Sequence, residues 1–146
     1  MVNTGIRMNN IGEYLTAFVI DVENEEMGTR DVANTLKDLK HEIKTECIDV
    51  DEIVVDGMHF KAIFGANAKN NAHTSCVDKD GKVVYKGNVV VFGANKDAHG
   101  NESFRSLSDA EIDLLMCNTG LMTIDATGNG GQLYNAYVLC NVKIAE

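Results

Sequence analysis

The stretch CVDKDGKVVYKGNVVVFG, residues 76–93, decides the fold. Asp80-Gly81 is the strongest short hairpin signal in the chain, because glycine tolerates the positive φ that a tight turn demands. Apolar runs flank it at Cys76-Val77 and at Val83-Val84-Tyr85. After Gly87 a further strand spans Asn88 to Phe92. Side chains alternate along a strand, so Asn88, Val90 and Phe92 share one face while Val89 and Val91 take the other.

Working outward, Phe18-Val19-Ile20 with Ala17 and Val22 reads as a buried strand. Thr29 then stands as a helix N-cap, with Asp31 favoured in the positive first turn. Val32, Leu36, Leu39 and Ile43 recur at helical spacing and predict an amphipathic helix over 29–44. Ile48 and Val50 alternate with acids, and Ile53-Val54-Val55 ends at the turn signal Asp56-Gly57. His59 to Phe64 alternates again, and His99-Gly100-Asn101 marks another turn. Ser108 and Glu111 stand at capping-box spacing, with Leu107 and Ile112 as a hydrophobic staple, so a helix runs to about Cys117 and ends near Asn118 or Gly120. Leu121 to Asp125 and Gln132 to Val142 predict a closing hairpin around Gly128-Asn129-Gly130-Gly131. The expectation is one α+β domain over residues 1–146, with two helices and a mainly antiparallel sheet of about six or seven strands. Residues 1–12 read as loose, and Met1 and Met8 are both candidate starts. The tetrapeptide at 64–67, Phe-Gly-Ala-Asn, recurs at 92–95, which predicts two strands ending in similar turns.

Composition narrows the function. The chain of 146 residues carries a net charge of −9 with no proline. A duplex-binding protein needs a basic face to displace phosphate counterions, so duplex nucleic acid and anionic membrane surfaces are not expected partners. No apolar run is long enough to span a membrane, and no signal peptide is visible, which predicts the cytoplasm. Cys47, Cys76, Cys117 and Cys140 are widely spaced, without the close pairs of a zinc or redox motif, and read as free thiols. The charge is uneven. Residues 1–58 hold 13 acids and 5 bases, a balance of −8, whereas residues 59–107 hold 4 acids and 7 bases, a balance of +3.

No catalytic or metal signature emerges. His41, His59, His73 and His99 form no ligand pair at helical spacing and read as surface histidines. The acids Asp49, Asp51, Glu52 and Asp56 alternate with apolar residues as the wet face of a strand does, and they lack a calcium-loop pattern. Neither a nucleophile elbow nor a phosphate-binding loop is present, so no cofactor is expected. A binding constellation is easier to assemble. Asn88 supplies an amide, Phe92 and Phe104 aromatic faces, Arg105 a guanidinium fork and Ser106 a hydroxyl, beside the N-terminus of the capped helix. That set suits a nucleobase and phosphates.

The same residues carry a resemblance. Val77 to Lys82, Gly87 to Gly93 and Phe104 to Ile112 resemble a family of small proteins from phages and mobile elements that pair a strand–turn–strand with a Ser-Leu-Ser/Thr-Asp helix start. Within that neighbourhood the chain is similar to the phage anti-Thoeris proteins, sponges for a cyclic ADP-ribose immune signal. The likeness covers about Val77 to Met116. It implies ligand contacts at Asn88 and Arg105, with Asp113 as a third, and homo-oligomers with pockets between subunits. The expected function is therefore a phage-encoded anti-defence protein that sequesters a cyclic nucleotide, of glycocyclic ADP-ribose type, without cleaving it. Two alternatives stand beside it: an acidic protein–protein module that inhibits a host protein, and an enzyme that degrades the same signal.

Overall fold

The computed structural model describes residues 13–66, 73–96, 102–125 and 133–145. Within them lie two helices and eleven strands in two sheets. The larger sheet runs β11 (Val142–Ile144), β3 (Ile48–Val55), β4 (Met58–Gly65), β7 (Val89–Lys96), β1 (Tyr14–Asp21), β2 (Glu26–Ala33), with β8 (Glu102–Arg105) also on β7. Every pairing in it is antiparallel. The smaller sheet runs β6 (Val83–Lys86), β5 (Thr74–Val77), β10 (Leu133–Leu139), β9 (Thr119–Asp125). The α+β class and the mainly antiparallel main sheet are as expected. The second sheet is additional, and it draws the Asp80-Gly81 hairpin away from the sheet that its neighbour β7 joins.

The larger sheet is covered on both faces. Phe18, Ile20, Ile53, Val55, Phe60, Ala62, Val89 and Val91 form one core with Cys76, Tyr85 and Leu139 of the smaller sheet and Leu115 of helix α2 (Asp109–Cys117). Ala17, Val19, Ile63, Val90 and Phe92 form the other, packed under Leu39 and Ile43 of helix α1 (Leu36–Ile43). Val90 with Phe92 and Val89 with Val91 thus take opposite faces, as alternation requires. Burial on both sides explains why residues 60–63 are all buried instead of alternating. Both predicted tight turns form. Asp56 and Gly57 both take positive φ between β3 and β4, and Gly81 does so between β5 and β6.

Three expectations give way. Thr29 is a strand residue, because residues 26–33 pair with β1 residue for residue from Asp21↔Glu26 to Tyr14↔Ala33. Helix α1 begins only at Leu36, where the side chain of Thr35 accepts the amide of Asp38 at 3.1 Å. Val32, Leu39 and Ile43 do share one core, but Val32 reaches it from β2, and Leu36 is 61% exposed. Tertiary pairing with a buried strand has overridden a helical spacing. Second, residues 132–142 are divided. Strand β10 pairs β9 as a hairpin, then Asn141 at φ 61° turns the chain so that β11 pairs β3 of the other sheet. Third, residues 92–95 do not end a strand in a turn: they lie inside β7, where Gly93 to Asn95 pair with β8, whereas Phe64-Gly65 closes β4. The predicted starts at Met1 and Met8, the turns at 99–101 and 128–131, and His99 lie outside the described residues.

Candidate functional site

The predicted ligand residues other than Asn88 lie on or beside β7, β8 and α2. The strand register places Arg105 opposite Gly93. Its side chain lies across that glycine so closely that a Cβ there would come within 2.7 Å of the guanidinium carbon. Arg105 Nε donates to the Ala94 carbonyl at 3.1 Å, and Nη1 to the Ser106 carbonyl at 3.1 Å. Nη1 and Nη2 donate to Glu111 Oε1 and Oε2 at 2.7 and 2.8 Å, a two-bonded fork on a carboxylate that is itself buried. Glu111 also accepts the Ser108 amide at 2.8 Å, while Ser108 Oγ accepts the Glu111 amide at 3.2 Å. This is the predicted capping box, with an arginine added. The hydrogen bonds from Arg105 hold the Glu111 carboxyl down to about 2, and the same pair raises the Arg105 guanidinium.

The neighbouring candidates are also bonded within the fold. Ser106 Oγ accepts the Thr16 amide at 2.9 Å and ties the approach to α2 onto β1. Phe92 is wholly buried and stacks on Phe104 with ring centroids 5.1 Å apart and 13° between planes. Asp113 is exposed on α2. Asn88 stands apart from this group, five residues before Gly93 on an extended chain, or ~16 Å. There its Oδ1 accepts the Val22 amide at 2.9 Å, and its Nδ2 donates to the Glu42 carbonyl at 3.0 Å and to Asp21 Oδ1 at 3.3 Å. Asp21 also receives the Asn24 amide and side chain at 3.2 and 2.8 Å, and faces Lys44 Nζ at 3.6 Å. Burial pushes the Asp21 carboxyl up, but Asn24, Lys44 and Asn88 outweigh that and hold it below the ordinary value. Among the described residues, every buried side-chain nitrogen or oxygen has a hydrogen-bond partner. Phe92, Phe104, Arg105 and Ser106 are thus brought together and held by partners within the fold, and Asn88 belongs to a second bonded group.

No family model, curated protein or solved structure matches the chain.

Two polar groups escaped the sequence reading because they depend on strand register. Glu52 opposes Lys61 across β3 and β4, with Oε1 at 3.6 Å from Nζ, and its Oε2 meets His59 Nδ1 at 2.6 Å. Tyr85 donates its hydroxyl to Asp51 Oδ2 at 2.6 Å from the other sheet while its ring stacks on Phe64. Burial first, and then that bond, push the Tyr85 phenol far above its ordinary value. Among the described residues, no three of His, Cys, Asp and Glu gather as a metal-binding group. No helix there is long and apolar enough to cross a membrane. All four cysteines are free: Cys47 and Cys117 are exposed, and burial pushes the Cys76 thiol up to about 12.

What the surface does present is acid. Glu23, Glu25 and Glu26 are exposed at the β1–β2 turn, and Asp31, Glu46 and Asp49 are exposed elsewhere in the front half. The turn is held in shape, because Asp21 binds Asn24 at its base and Glu25 takes a positive φ of 54°.

Proposed function

We propose that the chain is a non-catalytic binding module whose acidic front half covers a basic surface on a protein partner and so inhibits it. One observation carries this reading. The polar residues suited to a small ligand are bonded within the fold, whereas the β1–β2 acids are exposed on a braced turn, with Glu23 and Glu26 no nearer than 3.7 Å to Lys44 and Arg30. Such a surface steers a basic partner and selects it by charge, more than it adds affinity. The test is capture from a host lysate at rising salt, with wild type and a Glu23→Lys, Glu25→Lys, Glu26→Lys variant. A partner released by salt and lost from the variant supports the module. A partner held equally by both proteins at all salt concentrations refutes it.

Cyclic-nucleotide sequestration by a phage-encoded protein is the second reading, and one feature favours it. The Arg105 side chain is still 40% exposed, beside exposed Ser106 and Ser108 at the start of α2. A phosphate at that rim could draw on the guanidinium and the helix N-terminus together. Incubation with cyclic ADP-ribose isomers and cyclic oligonucleotides, followed by heat release and mass spectrometry, separates the readings. Intact ligand retained by wild type and lost in Arg105→Ala establishes sequestration. Altered products establish the enzymatic alternative, and no uptake leaves the protein-binding module.

A further inference from the structure

An exposed sheet edge is a row of unpaired amides and carbonyls, and proteins blunt it with charge, proline, bulges or brevity. The terminal strands of this fold can be compared on that count. Strand β2 carries Glu26, Arg30 and Asp31. Strand β6 has four residues, ends in Lys86, and meets β5 in a broken register. Strands β8 and β11 have four and three residues and carry Arg105 and Lys143. Among the described residues, strand β9 ends the smaller sheet with one charge, Asp125 at its last position. It is seven residues long, contains no lysine, arginine or proline, and pairs β10 in unbroken register from Thr119↔Leu139 to Asp125↔Leu133. It also exposes an apolar side chain on each face, Leu121 at 63% and Met122 at 38%, and Leu133 of β10 and Met116 at the end of α2 are exposed as well.

We infer that β9 is the pairing edge of a homodimer, in which two copies join antiparallel about a two-fold axis perpendicular to the smaller sheet. The occupant follows from charge and symmetry. A chain of net charge −9 meets its own copies with net repulsion, so a segment poor in acid favours self-association, and residues 119–124 contain none. An axis perpendicular to the sheet keeps each face on its own side, so partners across it must have the same strand parity. Centring the pair on Met122 satisfies this. It sets Met122 against its own copy, Leu121 against Thr123, and Asp125 against Thr119, with no like charges opposed. The two four-stranded sheets then become one of eight strands. The dimer forms whether the protein's other partner is a nucleotide or a basic protein.

Sedimentation equilibrium on the whole chain tests this, with wild type, Met122→Lys and Met122→Glu. Met122 is exposed, so both variants fold, and circular dichroism and thermal melting check that they do. Wild type is expected at twice the chain mass of 15.9 kDa. Each variant alone is expected at the chain mass, because two like charges face each other across the axis. An equimolar mixture of the two variants is expected to return to twice the chain mass. A monomeric wild type overturns the inference, as does a dimer that survives in either variant. Failure of the mixture to reassociate overturns the register centred on Met122.

Discussion

Replacing Glu111 with glutamine tests whether Arg105 is part of the fold. The exchange keeps size and shape, and the amide oxygen can still accept the Ser108 amide, so the capping box survives. What is lost is the charge and one arm of the fork, since the new NH2 group meets an arginine donor. Hydrogen bonds to charged groups contribute about 1.5–3 kcal/mol. The acid shift gives a second estimate. A carboxyl held at about 2 instead of 4.5 corresponds to about 3 kcal/mol at neutral pH. Solvent reaches the outer edge of the 40% exposed Arg105 side chain and reduces that to about 2 kcal/mol. For a chain of this length the melting temperature should fall by about 6 °C. The pH dependence has a fixed sign. A depressed folded-state pKa stabilises above the ordinary value of 4.5, and the benefit disappears as pH falls through about 2. The gap between wild type and variant should therefore be full at neutral pH and shrink to roughly half near pH 3. Urea unfolding followed by circular dichroism at both pH values measures it. A gap below about 0.5 kcal/mol at neutral pH, or one of equal size at both, would refute the role given to this pair.

Gly93→Ala drives a methyl group into the Arg105 guanidinium and should cost about 1–3 kcal/mol, while Gly120→Ala, with open space around it, stays within about 0.5 kcal/mol. Urea melts of the two side by side give the contrast, and equal effects would count against the close approach. Asn88→Ala orphans the Val22 amide and removes a donor from Asp21, for a loss of about 2–3 kcal/mol read from the same melts. With a thiol-specific reagent on the native protein, Cys47 and Cys117 should react fast, and Cys76 only once the chain unfolds.

The parts of the fold legible in the sequence are those specified by neighbours along the chain. The capping box of Ser108 and Glu111, the turns at Asp56-Gly57 and Gly81, and the two faces of β7 rest on spacings of a few residues. The start of α1 was hidden because Val32, Leu39 and Ile43 fit a helical period while reaching their common core from different elements. The site was harder still. Arg105 stands out in the sequence as one of only three arginines, just before a helix start, but its bonding is not legible there. Its partners Ala94 and Glu111 come together only through the β7–β8 register. The bonds of Asn88 are equally hidden, since Val22 and Glu42 are 66 and 46 residues away.

Strand order also sets the course of folding. Consecutive strands pair as hairpins five times, β1 with β2, β3 with β4, β5 with β6, β7 with β8 and β9 with β10. Each is a local event of the microsecond kind. The contacts that unite them are distant: Phe18 to Val91, Val55 to Val142, Cys76 to Leu139. Closing such long loops costs little more than closing shorter ones, because the entropy grows only with the logarithm of length. Folding is then an assembly of preformed ribbons, limited by docking and slow for a chain of this size. Substitutions within one hairpin should change how often it unravels, whereas those at Val91, Val142 or Leu139 should change how fast the whole protein appears.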